Sequence, residues 1–296
     1  MKKRRLMSVL LASALTITSV LPSMAVSAAG DSVEDALVAS YDFDDQTLNN
    51  SKLEGDVAQA IVTGLNNYTG TVTYGEGRNG GKAVKLGDYG LKLNKQNLGD
   101  NFTVSLWLKA EGRIANNQSV MFLGYHNPEK WYAIAGRDSN NGVKMWANGG
   151  IYGWTEFGTL PLANDWHSVV ITGDSENITT YFDGVAVTSD ETNHPLAGTN
   201  QDIYLGVTYW DPEFTGYVDD VKVYNTTLTE EQVQAEDKEY YESVLQEKVD
   251  AVSADSLLGL NDSADAVEFD LVLPETMANG AVTWTSSNEA VIATDG

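Results

Sequence analysis

Short apolar runs, separated by clusters of glycine, asparagine and aspartate, occupy the chain from about Ala36 to Asn225. Side chains of a β-strand alternate between two faces, so alternating or near-continuous apolar runs of this length are typical of strands. About a dozen strands with no helical period among them predict a β-sandwich or a barrel. The clearest runs lie at 36–43, 102–109, 120–124, 131–135, 143–146, 167–172, 178–182 and 203–207.

The strongest local signal in this region is a hairpin at 181–187. Asp183 and Gly184 separate two apolar runs there. A two-residue Asp-Gly connection favours a type I′ turn, because both central residues then need positive φ. The sequence therefore predicts a tight turn with these two residues at its tip.

The apolar period changes after Asn225. Thr229 is a suitable N-cap for a helix whose first turn is acidic, since acids there meet the positive end of the helix dipole. Apolar residues then recur at helical spacing to about Val252. We predict a connecting helix over 229–252 and favour it over a coiled coil, because no heptad pattern is sustained.

The segment 255–296 returns to strand patterning. Residues 267–274 and 281–285 alternate between apolar and polar, and a further apolar run begins at Val291. Because a strand pair and a half cannot close a core alone, we expect an incomplete β-domain here. Phe269 and Trp284 are expected to lack packing partners.

The first 28 residues have the pattern of a secretory signal peptide. Basic residues at 2–5 precede an apolar run over 6–21, and small residues at 26–28 have the spacing that a signal peptidase recognises. A membrane anchor is the alternative, but the apolar run is shorter than the ~20 residues needed to span a bilayer. We predict cleavage after Ala28 or Ala29 and secretion. An exported chain without cysteine suggests a bacterial source.

Composition limits the partners of the chain. Forty-two acidic and 18 basic residues give a net charge of −24, and without the four bases at positions 2–5 the remainder carries −28. Such a field repels nucleic acids and anionic membranes, so we expect neither as a partner. The absence of cysteine excludes disulfides, thiolate zinc sites and cysteine nucleophiles, and only three histidines are present.

Several segments, taken in order, resemble one known family. The matching segments are 41–44 (YDFD), 77–83 (GRNGGKA), 102–109 (FTVSLWLK), 166–172 (WHSVVIT), 181–184 (YFDG), 214–225 (FTGYVDDVKVYN) and 228–231 (LTEE). Together they resemble the concanavalin A-like jelly roll of the laminin-G-like family, which occurs in secreted bacterial glycan-degrading proteins.

The resemblance implies an all-β fold for residues 36–225, namely a two-sheet antiparallel jelly-roll sandwich. The helix would connect it to the tail, where 273–274 and 282–288 resemble the front half of an atrophied bacterial immunoglobulin-like domain. In such proteins this pairing commonly accompanies a glycoside hydrolase domain, often one acting on arabinan-type plant polysaccharides. A covalently linked catalytic domain beyond residue 296 is therefore expected.

No catalytic constellation is recognisable in the chain. Jelly-roll glucanases of this fold carry Glu-x-Asp-x-x-Glu on one strand, which places two carboxyl groups about 5–5.5 Å apart as a retaining mechanism requires. That pattern is missing, as are a Gly-x-Ser-x-Gly elbow and a His-Glu-x-x-His helix. We expect this chain itself to be non-catalytic.

Acidic residues in the first and last strands form a candidate metal site. In the resembling fold these strands are neighbours, so their acids would converge, and crowded carboxylates favour Ca²⁺. Alternation along a strand makes two adjacent aspartates point in opposite directions, and the alternative is that one caps a turn while the others are solvated. The candidate ligands of this structural calcium ion are Asp42, Asp44, Asp219 and Asp220.

Aromatic residues at strand ends and in polar loops form a candidate carbohydrate site. Flat rings stack on the apolar faces of sugars, and neighbouring polar groups bind the hydroxyls. The alternative is that some of these rings only cover the ends of the sandwich, and Trp107 and Trp166 are expected in the core. The candidate binding residues are Tyr125, His126, Trp131, Arg137, Trp146, Trp154, Tyr209, Trp210 and Asp211.

These observations favour a secreted, non-catalytic carbohydrate-binding module, the N-terminal part of a larger glycoside hydrolase. Its expected ligand is a neutral poly- or oligosaccharide. One alternative is an adhesin or structural spacer without glycan binding. Another is a domain that only supports the active-site wall of its neighbour.

Overall fold

The computed structural model describes residues 15–20, 33–94, 98–112, 114–125, 130–136, 143–148, 153–156, 164–190, 202–238, 249–263, 267–274, 276–277 and 280–286. The chain divides into two compact units, one of residues 29–235 and one of residues 1–28 with 236–296. The expected signal peptide, helix and tail boundaries stay predictions.

The secondary-structure elements are mostly short strands. The strands are β1 (Leu15–Val20), β2 (Leu37–Tyr41), β3 (Gln59–Val62), β4 (Asn66–Asn67), β5 (Thr73–Glu76), β6 (Lys82–Leu86), β7 (Gly90–Leu93), β8 (Phe102–Ala110), β9 (Ser119–Tyr125), β10 (Lys130–Gly136), β11 (Val143–Asn148), β12 (Gly153–Glu156), β13 (His167–Gly173), β14 (Ile178–Phe182), β15 (Val185–Asp190), β16 (Ile203–Leu205), β17 (Gly216–Tyr224), β18 (Thr276–Met277) and β19 (Gly280–Ser286). The helices are α1 (Val33–Ala36), α2 (Glu230–Glu236) and a 3-10 turn at Ala254–Leu257.

Two antiparallel sheets of eight strands form the larger unit. The first has the order β15-β14-β13-β8-β17-β6-β5, with β2 also paired to β17. The second has the order β12-β11-β10-β9-β16-β7-β3-β4. This arrangement confirms the predicted all-β, two-sheet jelly-roll sandwich.

The core lies between the two sheets and follows from alternation along the strands. In β8, Val104, Leu106 and Leu108 are fully buried in it, and in β9 Met121 and Leu123 join from the second sheet. The turn at Asp183 and Gly184 has φ of 49° and 73°, as the hairpin signal predicts. Burial of this apolar surface is the main term that stabilises the fold.

Of the two tryptophans expected in the core, Trp107 is buried as expected, although on the outer face of its sheet, and Trp166 is not buried. Trp107 is 3% exposed but sits between the core residues Leu106 and Leu108, so alternation directs its side chain to the other face of the sheet. There the Arg78 guanidinium covers its ring at 4.3 Å. Trp166 precedes β13 and is only half-buried. In a continuous apolar run, the sequence does not distinguish the residues that face the core from those on the other face of the sheet.

Strand β17 changes its pairing partner along one edge. Residues 216–218 pair with β6 and residues 221–224 pair with β2, while β8 lies along the other edge. Between the two partners the strand has a bulge, where Asp220 adopts a φ of 45°. A bulge bends the strand and redirects the side chains beside it.

A small apolar cluster covers the outer face of the first sheet near the start of α2. Leu228 and Val233 pack there with Val170, Tyr181 and Tyr224. The Thr229 hydroxyl accepts a hydrogen bond from the Gln232 backbone N–H at 3.3 Å, as an N-cap does. The structure places α2 inside the predicted helix, whose residues 239–248 lie outside the described part of the chain.

The smaller unit contains a three-stranded antiparallel sheet. Strand β19 lies between β1 and β18, with Ile17 paired to Trp284. Contrary to expectation, Trp284 is 7% exposed and packs with Leu257, and its indole N–H donates to the Pro274 carbonyl at 2.8 Å. Phe269 is 55% exposed, as expected. The immunoglobulin-like assignment of this segment stays a prediction. None of the helices in the described residues is long and apolar enough to cross a membrane.

Candidate functional site

The outer face of the second sheet carries a cluster of aromatic rings. Strand residues that alternate with the core residues direct Phe122 and Tyr204 to this face, and Trp131 and Ala133 follow on β10. The register pairs Phe122 with Ala133 on one side and with Tyr204 on the other. Five rings, of Phe122, Trp131, Tyr204, Tyr209 and Trp210, make up what we call the aromatic cluster.

Phe122 is the centre of this cluster. Its ring stacks on Trp131 with the centroids 5.5 Å apart and meets Tyr204 and Tyr209 edge-on at 5.7 and 5.6 Å. Trp210 lies 5.6 Å from Trp131 and stacks on Tyr209 at 5.7 Å. Edge-to-face and offset pairs at these distances are favourable, so each ring is held by its neighbours.

The loop between β16 and β17 brings Tyr209 and Trp210 onto this face. The buried Thr208 hydroxyl accepts hydrogen bonds from the backbone N–H groups of Trp210 and Asp211, at 3.3 and 2.8 Å. The Thr63 hydroxyl donates to the Asp211 carbonyl at 2.8 Å, and the Thr63 N–H donates to Glu213 at 2.8 Å. The loop is therefore pinned to the sheet edge at several points.

The rings of the cluster differ sharply in exposure. Trp210 is 45% exposed, whereas Trp131 is 8% and Phe122 and Tyr204 are at most 1% exposed. Tyr209 and Asp211 are half-buried beside Trp210. The cluster therefore offers one open tryptophan ring on a rigid aromatic base.

Polar groups flank the buried end of the cluster. The Tyr204 hydroxyl donates to the buried carboxylate of Asp202 at 3.3 Å. Burial, followed by a hydrogen bond with Tyr209 and the charge of Asp202, raises the pKa of this phenol far above its ordinary value. The Lys92 ammonium lies 5.7 Å from the Tyr204 ring centre. Of these groups, the half-buried Lys92 can bind a sugar hydroxyl at the margin of the aromatic surface, whereas Tyr204 and Asp202 are buried.

The remaining predicted binding residues lie on strands of the second sheet or outside the described residues. Tyr125 ends β9 and is half-buried. His126 and Arg137 lie outside the described residues. Trp146 and Trp154 belong to strands β11 and β12 rather than to loops, and the register pairs them with each other and Trp146 with Ala133. In the strand register, Trp146 and Trp154 therefore continue the line of cross-strand pairs that runs from Tyr204 through Phe122 and Ala133.

Sequence reasoning missed Phe122, Tyr204 and Thr208, which support the exposed ring. Phe122 and Tyr204 occur in short apolar runs, where the sequence does not say which of the two alternating sets of residues faces the core. The available signal was alternation: Ile203 and Leu205 flank Tyr204 as core residues, which places Tyr204 opposite.

The predicted metal ligands meet where β17 changes partner. The Asp219 carboxylate accepts hydrogen bonds from the backbone N–H groups of Arg78 and Asp220, both at 2.9 Å. Asp44 accepts the Lys82 N–H at 2.7 Å, and its own N–H donates to Asp42 at 3.2 Å. Asp219 and Asp44 thus satisfy the backbone donors of Arg78, in the turn between β5 and β6, and of Lys82, at the start of β6.

The bulge brings both adjacent aspartates to the same arginine. Asp220 accepts from the Arg78 side chain at 2.7 Å, although strand alternation predicts that it points away from Asp219. Asp219 is 5% exposed, and burial, followed by the charges of Asp220 and Asp44, raises its pKa to about 7. Backbone hydrogen bonds from Arg78 and Asp220 act in the opposite direction.

The carboxylates of the four aspartates accept hydrogen bonds from backbone N–H groups or from the Arg78 side chain. Within the described part of the chain, no three histidine, cysteine, aspartate or glutamate side chains are grouped so that they could hold a metal ion. Oxygen ligands of the right hardness are present, but Arg78 supplies the positive charge beside Asp220. The calcium site at Asp42, Asp44, Asp219 and Asp220 stays a prediction.

The two-sheet sandwich with an aromatic outer face defines a lectin-like jelly roll. A sequence profile of the concanavalin A-like lectin/glucanases superfamily matches residues 80–234. This match extends over more than half of the chain, and the chain belongs to that family. No curated protein sequence matches it.

Solved structures with the same fold include a glycosidase domain and toxin domains. Domain 4 of AbnA, a GH43 extracellular arabinanase from Geobacillus stearothermophilus in complex with arabinotriose, is 28% identical with a TM-score of 0.58, covering 67% of this chain and 97% of that one. The binding domain of botulinum neurotoxin DC in complex with SialylT is 16% identical with a TM-score of 0.51, covering 70% and 52%. The binding domain of Paraclostridial Mosquitocidal Protein 1 is 16% identical with a TM-score of 0.52, covering 72% and 54%. The toxin domains, of which this chain spans about half, show a shared fold alone.

Proposed function

We propose that the jelly roll is a non-catalytic carbohydrate-binding module and that Trp210 is its main contact with the sugar. The observation that carries this proposal is the 45% exposed Trp210 ring on a base of buried or half-buried rings. An open ring fixed in this way offers a stacking surface without losing side-chain freedom on binding. Such surfaces suit the apolar faces of neutral sugars.

The proposed ligand is a neutral oligosaccharide of the arabinan type. The arabinanase domain similar to this chain was solved with arabinotriose, and a strongly acidic chain has little attraction for acidic glycans. Stacking plus a few hydroxyl contacts predicts a dissociation constant in the micromolar-to-millimolar range, about −8 to −4 kcal/mol.

In the parent protein we propose that the module holds a linked glycoside hydrolase near its polymer. Weak binding suffices for this role, because a tether converts it into a high effective concentration. Secretion through the N-terminal signal peptide would place the protein where plant polysaccharides occur.

Calorimetry with arabinotriose and arabinan tests the binding proposal. We expect a saturable response that falls at least tenfold in Trp210→Ala and is largely kept in Trp210→Phe, which retains a ring. The melting temperature of Trp210→Ala should stay within a degree or two of wild type, since almost half of this side chain is exposed.

Phe269→Ala is the matched control, because Phe269 is an exposed aromatic residue of the smaller unit. It should bind as wild type does. Absence of saturable binding in the wild type, or equal binding by Trp210→Ala, would support the spacer or adhesin alternative instead.

A further inference from the structure

A second surface, on the outer face of the first sheet, carries a row of alternating cations and rings. The register pairs Tyr217 of β17 with Lys85 of β6 on one side and with Lys109 of β8 on the other. Trp166 follows next to Lys109, immediately before β13. We call these four residues the cation–aromatic row.

The row is ordered by cation–π contacts. The ammonium nitrogens of Lys85 and Lys109 lie 5.5 and 5.2 Å from the Tyr217 ring centre, and that of Lys109 lies 5.0 Å from the Trp166 ring centre. Contacts within about 6 Å of a ring centroid are attractive. Two lysine side chains are thus held in place two strands apart, at a spacing of about 10 Å.

The backbone beneath the row supports its central ring. A Cβ atom at Gly75 would lie 2.3 Å from Cε1 of Tyr217, so the tyrosine ring rests directly on the glycine backbone. All four side chains of the row are half-buried, with part of each open to solvent. The surface is therefore formed before any ligand arrives, which lowers the ordering cost of binding.

The two lysines of the row differ in their salt-bridge partners. Lys85 pairs with Glu111 at 2.9 Å, and this hydrogen bond, followed by the charge of Lys85, a hydrogen bond from Tyr217 and the charge of Lys109, holds the pKa of Glu111 below its ordinary value. The two lysines and this one carboxylate together leave one net positive charge. Lys109 forms no salt bridge within the described residues. It therefore presents an ammonium group between two rings on a chain whose overall charge is strongly negative.

We propose that the cation–aromatic row binds a saccharide that carries a carboxylate, with Lys109 as its charge contact and the Trp166 ring beside it. An ammonium–carboxylate hydrogen bond is stronger than a neutral one, and an aromatic ring can stack on the apolar face of a pyranose. The overall negative field repels long polyanions such as nucleic acids, which favours a short uronic acid oligosaccharide with few charges in total. This site is separate from the Trp210 surface and goes beyond the proposed function.

Calorimetry with trigalacturonate as the probe tests this proposal. We expect saturable binding that weakens as sodium chloride rises from 50 to 300 mM, because the ammonium group is partly exposed to screening ions. Methyl-esterified trigalacturonate, which keeps the rings and loses the charges, should bind at least fivefold more weakly.

Two lysine variants locate the contact on the protein. Lys109→Gln should weaken trigalacturonate binding at least fivefold, whereas Lys82→Gln, at the exposed start of β6 and outside the row, should leave it unchanged. If Lys109→Gln fails to fold, Trp166→Ala replaces it with the same expectation. Trp210→Ala should affect arabinotriose binding only, so the two proposals fail independently. No saturable binding, equal binding of the esterified sugar, or unchanged affinity in Lys109→Gln would overturn this inference.

Discussion

At the scale of single residues, neighbouring side chains of one type have different roles here. Trp131 and Trp210 lie 5.6 Å apart in one cluster, yet only Trp210 has an open ring. Truncating the buried Trp131 would leave a cavity and cost about 3–5 kcal/mol of stability. A loss of sugar binding in Trp131→Ala would therefore report on folding, which is why the binding test uses Trp210.

Asp219 gives a prediction for the pH dependence of stability. Its pKa in the folded protein is raised to about 7, from an ordinary value of 3.8. The folded state thus binds this proton more tightly, and the stability it contributes at low pH is lost as pH rises through 7. With chelator present, the free energy of unfolding should fall by about 2 kcal/mol between pH 5 and pH 8.

Urea denaturation at several pH values measures this effect. Asp219→Asn removes the titrating group and keeps a polar side chain of similar size, so its stability should vary much less over the same range. Asp88→Asn, at an exposed turn position, serves as the control and should follow the wild type. An equal slope in wild type and Asp219→Asn would contradict the assignment.

At the scale of elements, the turn between β5 and β6 and the loop between β16 and β17 position the two groups of functional candidates. The loop holds Trp210 through Thr208 and Thr63. The turn presents backbone N–H groups to Asp44 and Asp219, and the Gly77 N–H closes it by donating to the Gly81 carbonyl at 2.9 Å. Both are pinned by side chains distant in sequence.

Gly77→Ala should destabilise the protein by about 1–3 kcal/mol, as overpacking does. A Cβ atom there would lie 2.8 Å from the buried Asp219 carboxylate and 2.9 Å from the backbone carbonyl carbons of Gly81 and Lys82. Backbone atoms cannot move aside cheaply. Gly87→Ala is the matched control, since a Cβ at Gly87 meets no atom within 4 Å. Thermal denaturation compares the two, and equal melting temperatures would show that the turn can adapt.

At the scale of the whole molecule, the fold joins segments that are far apart in sequence. Strands β2, β6 and β17 meet at one bulge, and the acids of the predicted calcium site come from the first and last parts of the jelly roll. An ion there would bind only the folded protein, because the unfolded chain does not bring these acids together. Binding of this kind adds ~2.7 kcal/mol when free ion is 100 times the dissociation constant.

We therefore propose that chelation lowers the melting temperature by several degrees at neutral pH if calcium occupies this site. Asp219→Ala should abolish the difference, whereas Asp88→Ala should keep it. Differential scanning calorimetry with EDTA and with added calcium provides the measurement. Identical melting curves under both conditions would mean that Arg78 and the backbone N–H groups are the full set of partners for these acids.

The sequence by itself determined the class of fold. Alternating runs, the Asp183-Gly184 turn and the change of period after Asn225 are local patterns, and each follows from the geometry of a strand, a hairpin or a helix cap. These patterns predicted a β-sandwich or a barrel, and the resemblance of segments such as 102–109 and 214–225 to a known family implied the two-sheet jelly roll.

The tertiary structure alone decided which ring is open and which carboxylate is buried. Trp107 and Trp166 were expected in the core. Trp107 is buried, but beneath Arg78, and Trp166 is half-buried beside Lys109. The pairing of Tyr217 between two lysines depends on the register of three strands distant in sequence. Exposure and charge environment are set by long-range packing, and local sequence patterns carry no information about which distant segment supplies a neighbour.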